Sequence, residues 1–299
     1  MNKYILSCCS TFDLSKEHFE KRNIKYVCFH YSINGKQYDD DLGQTIPIAE
    51  FYKIIENKNV DLKTSQVNSD EFISYFTPFL EKGMDILHLC ASSGLSGVYN
   101  SALIAKKELE KIFPERKIYI VDTLGGSSGG GLIADTLAGM RDEGASIDEL
   151  YNWVEQNKLR LNHWFCSSDL TFYIRGGRIS KASGFIGSML KICPIMNVNN
   201  EGKLIPRSKV RTVDKAIEEM FNKMVKNAEN GINYSGKCYI SQSACYDDAK
   251  KLATKIEQNF KNLNGKVLIN DIGTTIGSHT GPGTIALFFW GNEDRKSVV

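Results

Sequence analysis

The chain has no Cys-x-x-Cys pair, although its 299 residues include eight cysteines. The usual zinc and thioredoxin-like spacings are therefore missing. It has no basic excess either. Lys and Arg number 37, Asp and Glu 35, and the net charge is +2 with both signs mixed. That excludes the charge footprint of a nucleic-acid binder. No apolar run approaches the roughly 18 residues of a membrane span, and "TIALFFW" near the end is far too short. The apolar stretch before Cys8 is only "YIL", against about 7–15 residues in a signal peptide. A first β-strand explains it better. No internal repeat or low-complexity linker interrupts the chain.

What is present is ordinary for a globular protein: 42% hydrophobic and 24% charged residues. The length suits two domains. Cys8, Cys9, Cys28, Cys90, Cys166, Cys193, Cys238 and Cys245 are scattered, several inside apolar runs such as "DILHLC" and "KCYIS". Reduced, buried thiols in a cytoplasmic protein without membrane insertion are expected.

Strand and helix patterns alternate through the first half. "KYILSCC" and "IKYVCFHYSI" read as strands, "IPIAEFYKIIENK" and "SDEFISYFTPFLEKG" as helices. "DILHLC" is a continuous apolar run, typical of a strand buried on both faces. Val98, Ala102, Ala105, Leu109 and Ile112 form one helical stripe. "KIYIVD" and a helix through "GLIADTLAGMRDEG" follow. This order predicts an α/β/α layered domain on a parallel sheet, over residues 1–160. A helix at "SIDELYNWVEQNKLR" closes it. Beyond it, "HWFCSSDL", "CPIMNVN", "KLIPRSKV", "KCYISQS", "KVLINDIG" and "TIALFFW" read as strands, with helices between some of them, "FIGSMLKI" included. A second α/β domain with a mixed sheet is predicted over 161–299.

Five stretches carry possible chemistry. "SSGLSG" (Ser92–Gly97) joins a strand to a helix. A helix N-terminus suits a phosphate or carboxylate, but a simple cap at Ser96 is commoner. Spacing leaves both open. It does not fit the G-x-S-x-G elbow of a Ser hydrolase. "VDTLGGSSGGG" lacks the Lys of a phosphate-binding loop, and close backbone approach explains its glycines. "LKTSQV" places Thr64 and Ser65 in a loop between helices. "FYIRGGRIS" offers Arg175 or Arg178 as the fork for an anion, or as a turn cap. "TIGSHTGPGT" puts His279 in a glycine-rich loop with no second metal ligand near it in sequence.

Taken together, "SSGLSGVYNSA", "VDTLGGSSGGG", "RGGRIS", "LKICPIMNVNNEGKLIPRSKVRT" and "GSHTGPGTIAL", in that order, resemble the DegV family of bacterial fatty-acid-binding proteins. The resemblance runs over essentially the whole chain. It implies a two-domain fold shared with the dihydroxyacetone kinase substrate-binding unit. It also implies a long-chain fatty acid held between the domains and presented to a fatty acid kinase, which phosphorylates the carboxylate with ATP. By motif, the carboxylate would meet Thr64, Ser93 and the Gly94 N–H, with His279 and Arg175 close by. Ile186, Met189 and Leu190 would line the acyl tunnel. Lys209 and Arg211, on one face by alternation, would form a partner surface. The resemblance implies no cofactor and no catalytic machinery, and a monomer is expected. An enzyme on the same fold, a small-molecule phosphotransferase or a Ser/His hydrolase, is the alternative. Two departures stand out. The family's first strand commonly ends Thr-Asp-Ser-Thr, here "CCST" (Cys8–Thr11), and its usual "RKGGRIS" lacks the Lys.

Overall fold

The computed structural model describes residues 4–57, 59–179 and 192–295. Its strands are β1 (Tyr4–Cys9), β2 (Lys25–Val27), β3 (His30–Ile33), β4 (Lys36–Asp39), β5 (Leu62–Ser65), β6 (Asp85–Cys90), β7 (Ile118–Asp122), β8 (Leu161–Ser167), β9 (Cys193–Val198), β10 (Leu204–Val210), β11 (Tyr239–Gln242), β12 (Leu268–Asp271) and β13 (Thr284–Trp290). Its helices are α1 (Lys16–Lys21), α2 (Ile48–Ile55), α3 (Ser69–Glu81), α4 (Val98–Ile112), α5 (Ser128–Asp142), α6 (Ile147–Asn157), α7 (Thr171–Arg175), α8 (Val213–Asn227), α9 (Tyr246–Asn259) and α10 (Thr274–Thr280).

Three sheets organise the chain. A parallel sheet has the order β2-β1-β6-β7. A six-stranded sheet has the order β10-β9-β8-β13-β11-β12 and is mixed, since β11 and β12 are parallel while the other pairs are antiparallel. The chain is therefore the mixed α/β protein that its patterns predict. The position 160/161 separates the strands of these two sheets, but it does not divide the core. One apolar cluster runs from Leu6 and Leu87 through Ile133 to Phe165 and Phe288. Helix α5 joins them, packing against β1 on one side and β11 and β13 on the other. Its glycines permit this. A Cβ on Gly130 would fall 2.4 Å from the Phe12 ring, and one on Gly129 2.3 Å from His163 Nε2.

The third sheet, β4-β3-β5, is antiparallel and was not expected from the pattern. "IKYVCFHYSI" is not one strand. It breaks after Val27, where the Phe29 N–H turns to Ser10 Oγ at 3.1 Å and leaves the parallel ladder. The chain then enters the small sheet as β3. "LKTS" pairs beside it as β5, with Thr64 opposite Tyr31, so Thr64 stands on a strand and not in a loop between helices.

Helix α4 buries Val98, Ala102, Ala105 and Leu109 as the stripe requires. Ile112 departs from it. It is the last residue of the helix and 65% exposed. The segment "FIGSMLKI" falls largely outside the described residues.

Candidate functional site

A cavity of about 500 Å³ lies where residues from both halves of the chain meet. That volume is in the range of small-molecule sites. Its apolar wall includes Phe29, Leu95, Phe165, Val198, Ile276 and Phe288. Among its polar lining residues are Thr64, Gln66, Ser96, Arg178 and His279.

These residues are held by four short elements. β5 carries Thr64, whose Oγ1 lies 2.8 Å from His279 Nε2. His279 stands in the last turn of α10, not in a loop. The sequence "TTIGSHT" is a poor helix former, with β-branched residues, Gly and Ser. Tertiary contacts supply what propensity does not. The Gly273 N–H donates to Asp13 Oδ1 at 2.9 Å, and Thr274 Oγ1 donates to Asp40 Oδ1 at 2.7 Å. Two buried carboxylates thus hold the N-terminal end of α10 and aim its last turn at the cavity. Burial pushes both carboxyl groups above their ordinary range.

The turn before α4 contributes Ser96. Its hydroxyl donates to Gln66 Oε1 at 3.0 Å and accepts from the Val98 N–H at 3.2 Å. The segment after α7 contributes Arg178. It donates to the carbonyls of Gly176 and Leu95, which ties this segment to the "SSGLSG" turn. Arg178 is half-buried, and no carboxylate among the described residues pairs with it. Burial lowers its pKa. Burial, and then the nearby Arg178, lower His279 to about 4. His279 is therefore neutral at physiological pH. Its Nδ1 is buried with no hydrogen-bond partner among the described residues, against Gly176, where a Cβ would lie 2.3 Å away.

The structure brings together only part of the set expected from motifs. Thr64 and His279 meet on the cavity. Ser93 does not line it: its side chain is exposed and its N–H donates to Asp122 Oδ1 at 3.1 Å. The Gly94 N–H donates to Ser92 Oγ at 3.0 Å and Gly94 packs against Glu201 and Gly202. Arg175 is exposed, with its guanidinium 5.7 Å from the centre of the Phe172 ring. Ser96 and Arg178 line the cavity, whereas Ser93 and Arg175 do not. Both signals were in the sequence, Ser96 as a cap and Arg178 as the other arginine of the pair. Gln66 carried none. Ile186, Met189 and Leu190 lie outside the described residues. Lys209 is exposed on β10, an edge strand, and Arg211 is exposed one residue past its end.

A cavity with a largely apolar wall, and with hydroxyls beside a cation that no described carboxylate pairs, has the chemistry that suits an amphiphilic anion. Comparison with known proteins agrees with that class. The sequence profile described as "Uncharacterised protein, DegV family" matches residues 9–292, and the chain belongs to this family. A DegV domain-containing protein of Clostridium perfringens is 37% identical over 292 residues, which is 98% of this chain and 99% of that protein. A DegV lipid-binding protein of Thermotoga maritima has a similar structure, with a TM-score of 0.85, 27% identity and coverage of 98% and 99% of the two chains. A fatty-acid-binding DegV family protein of Thermus thermophilus is equally close in structure, with a TM-score of 0.85, 26% identity and coverage of 97% and 99%. The fatty acid kinase B3 protein of Streptococcus pneumoniae shares the fold at a TM-score of 0.83 and 18% identity, with coverage of 98% and 100%.

Proposed function

We propose that this protein binds a long-chain fatty acid in the cavity and presents its carboxylate to a separate fatty acid kinase. The carboxylate meets Arg178, Thr64, Ser96 and His279, and the acyl chain runs along the apolar wall. The observation that carries this reading is Arg178, a half-buried guanidinium that no carboxylate among the described residues pairs, on a cavity with a largely apolar wall. A bound carboxylate supplies the missing charge, and hydroxyls add hydrogen bonds. Relatives of the same fold support the choice of ligand: the Thermus protein is named for fatty acid binding, and the Streptococcus protein for a kinase and for linoleic acid.

The tail supplies most of the affinity. Each buried methylene contributes about 0.8 kcal/mol, so roughly fifteen give about 12 kcal/mol before ordering costs. The polar cluster orients the head.

A subunit without chemistry of its own is favoured over a hydrolase. In a Ser/His hydrolase the imidazole is oriented by a hydrogen bond on its second nitrogen. His279 Nδ1 has no such partner among the described residues. Phosphorylation then falls to the partner, which brings ATP. The reading takes the protein as a cytoplasmic monomer with no cofactor, and the exposed Lys209 and Arg211 as a docking surface. Arg211→Glu would then slow acyl-phosphate formation with the kinase several-fold while leaving acid binding intact. Unchanged coupling would remove that surface from the reading.

The test of the ligand is direct. Protein purified from a bacterial host should release about one fatty acid per chain on denaturation, detected by mass spectrometry. Apo protein that takes up no added long-chain acid would end the proposal.

A further inference from the structure

A second cluster lies in the parallel sheet, apart from the hydroxyls and Arg178. In the pairing of β1 with β6, Ser7 stands opposite His88 and Cys8 opposite Leu89. Alternation then sets Cys9 beside Cys90 and brings Ser7, Cys9, His88 and Cys90 to one face. Helix α3 covers that face, and Phe72 and Phe76 meet the His88 ring edge-on at 5.1 and 5.3 Å. All four side chains are fully buried. The ligating atoms of Cys9, His88 and Cys90 lie within 4.8 Å of one another, and Cys9 Sγ is 3.7 Å from His88 Nε2. Zinc–sulfur bonds are about 2.3 Å and zinc–nitrogen bonds about 2.0–2.1 Å, so two ligands on a tetrahedral ion sit roughly 3.5–3.8 Å apart. Little movement separates the cluster from that geometry.

We propose that Cys9, His88 and Cys90 form a binding site for a divalent, thiophilic metal ion, with Zn²⁺ as the fitting case. Two thiolates and an imidazole are a soft donor set that suits zinc and not magnesium or calcium. Charge points to a divalent ion. Two thiolates neutralise it, whereas a monovalent ion would leave a net negative charge in a dry, apolar place. An orienting hydrogen bond is already in place. His88 Nδ1 lies 3.0 Å from Ser7 Oγ, which lies 2.8 Å from the Tyr75 hydroxyl. With the ring proton on Nδ1, the lone pair of Nε2 is left for a metal. Binding forms two Zn–S bonds and one Zn–N bond and releases the two thiol protons to solvent. Three protein ligands leave a fourth coordination position. Ala91, next to Cys90, and Thr11, two residues past Cys9, both line the cavity.

The test uses the full chain, purified with reductant and without chelator, loaded with Zn²⁺ and dialysed. Elemental analysis should find about one zinc per chain. Co²⁺ in its place should give thiolate-to-cobalt charge-transfer absorption. Cys9→Ala and Cys90→Ala should each lose at least tenfold in zinc affinity, while Cys238→Ala, at another buried cysteine, should bind as the parent does. The cobalt spectrum of the unaltered protein stands even where a variant fails to fold. A folded parent with no stoichiometric zinc and no charge-transfer band overturns the proposal. So does a Cys9–Cys90 disulfide, found by non-reducing peptide mapping, that persists in place of metal.

Discussion

Thr64 Oγ1 lies 2.8 Å from His279 Nε2, across 215 residues of chain. The contact joins an edge strand of the small sheet to the last turn of α10 on the wall of the cavity. Neither group has a charge at physiological pH, because burial and Arg178 keep the imidazole neutral. Arg178 is then the one cation among these polar groups, and on the proposed reading it sets the preference for an anion.

Arg178→Gln is the sharpest test of that role. Hydrogen bonds to charged groups contribute about 1.5–3 kcal/mol. The variant should bind a long-chain acid roughly ten- to a hundredfold more weakly, since each 1.4 kcal/mol is tenfold. The fatty alcohol of equal length should lose much less. Arg175→Gln, at an exposed position, should bind both as the parent does. Competition against a fluorescent fatty acid gives all six affinities. Equal losses of acid and alcohol in Arg178→Gln would show that the arginine holds the fold and does not read the head group.

The two serines of the "SSGLSG" turn should behave differently. Ser96 lines the cavity and Ser93 is exposed. Ser96→Ala should weaken acid binding by about tenfold or more. Ser93→Ala should change it less than twofold. The reverse order, in the same competition assay, would return the role to Ser93.

Protonation of His279 should cost stability. Its folded pKa, about 4, lies below the ordinary 6.5. The unfolded chain therefore binds the proton more readily over this window. The stabilising difference is fully present above about pH 6.5 and is lost as pH falls through 4. His279→Gln lacks the titration. Urea unfolding of the two proteins at several pH values should show the parent losing stability relative to the variant between pH 6.5 and 4. A constant difference would mean that His279 titrates normally.

Asp135 on α5 should be a stability residue. Its buried carboxylate receives His18 at 3.2 Å, Arg22 at 2.8 Å, Lys237 and the Tyr239 hydroxyl at 3.0 Å, which ties α1 to β11. Burial works to raise its pKa, but these partners hold it well below the usual carboxylate range. Asp135→Ala leaves the cations uncompensated and should cost about 3–5 kcal/mol. Asp142→Ala removes a more exposed partner of Arg22 and should cost under about 1 kcal/mol. Denaturant midpoints compare the two.

Much of the fold was legible because its central strands are continuous apolar runs. "DILHLC" and "TIALFFW" became β6 and β13. The small sheet was hidden because β2 and β3 abut in sequence, and only a hydrogen bond from Phe29 to Ser10 separates them. The helix that carries His279 was hidden because "TTIGSHT" disfavours a helix, and its anchors Asp13 and Asp40 lie more than two hundred residues away. At the cavity, the motifs named the turns that reach it, but Ser96 and Arg178 line it and Ser93 and Arg175 do not. Which serine of a turn faces inward depends on how the turn rotates as it enters α4. Which arginine faces inward depends on where α7 ends, at Arg175. Neither is a property of local spacing.

The length of the acyl chain should be set by the apolar wall, and Ala286 offers a place to move it. Ala286 stands on β13, buried and facing the cavity. Ala286→Leu adds three carbons to the wall and takes room from the tail. If it displaces two or three methylenes, at about 0.8 kcal/mol each, the longest acids should lose roughly 2 kcal/mol, or about thirtyfold. Acids shorter by the displaced length should lose little, since they leave that end of the cavity free. Some of the added bulk will also strain the core, as overpacking does, so the melting temperature of the unliganded protein should be recorded beside each affinity. The informative quantity is the ratio of affinities between a long and a short acid, because strain in the unliganded protein cancels from it. That ratio should fall by about tenfold or more in the variant. A ratio that stays constant across chain lengths would mean that the tail does not reach Ala286, and that the acyl chain leaves the polar cluster in another direction.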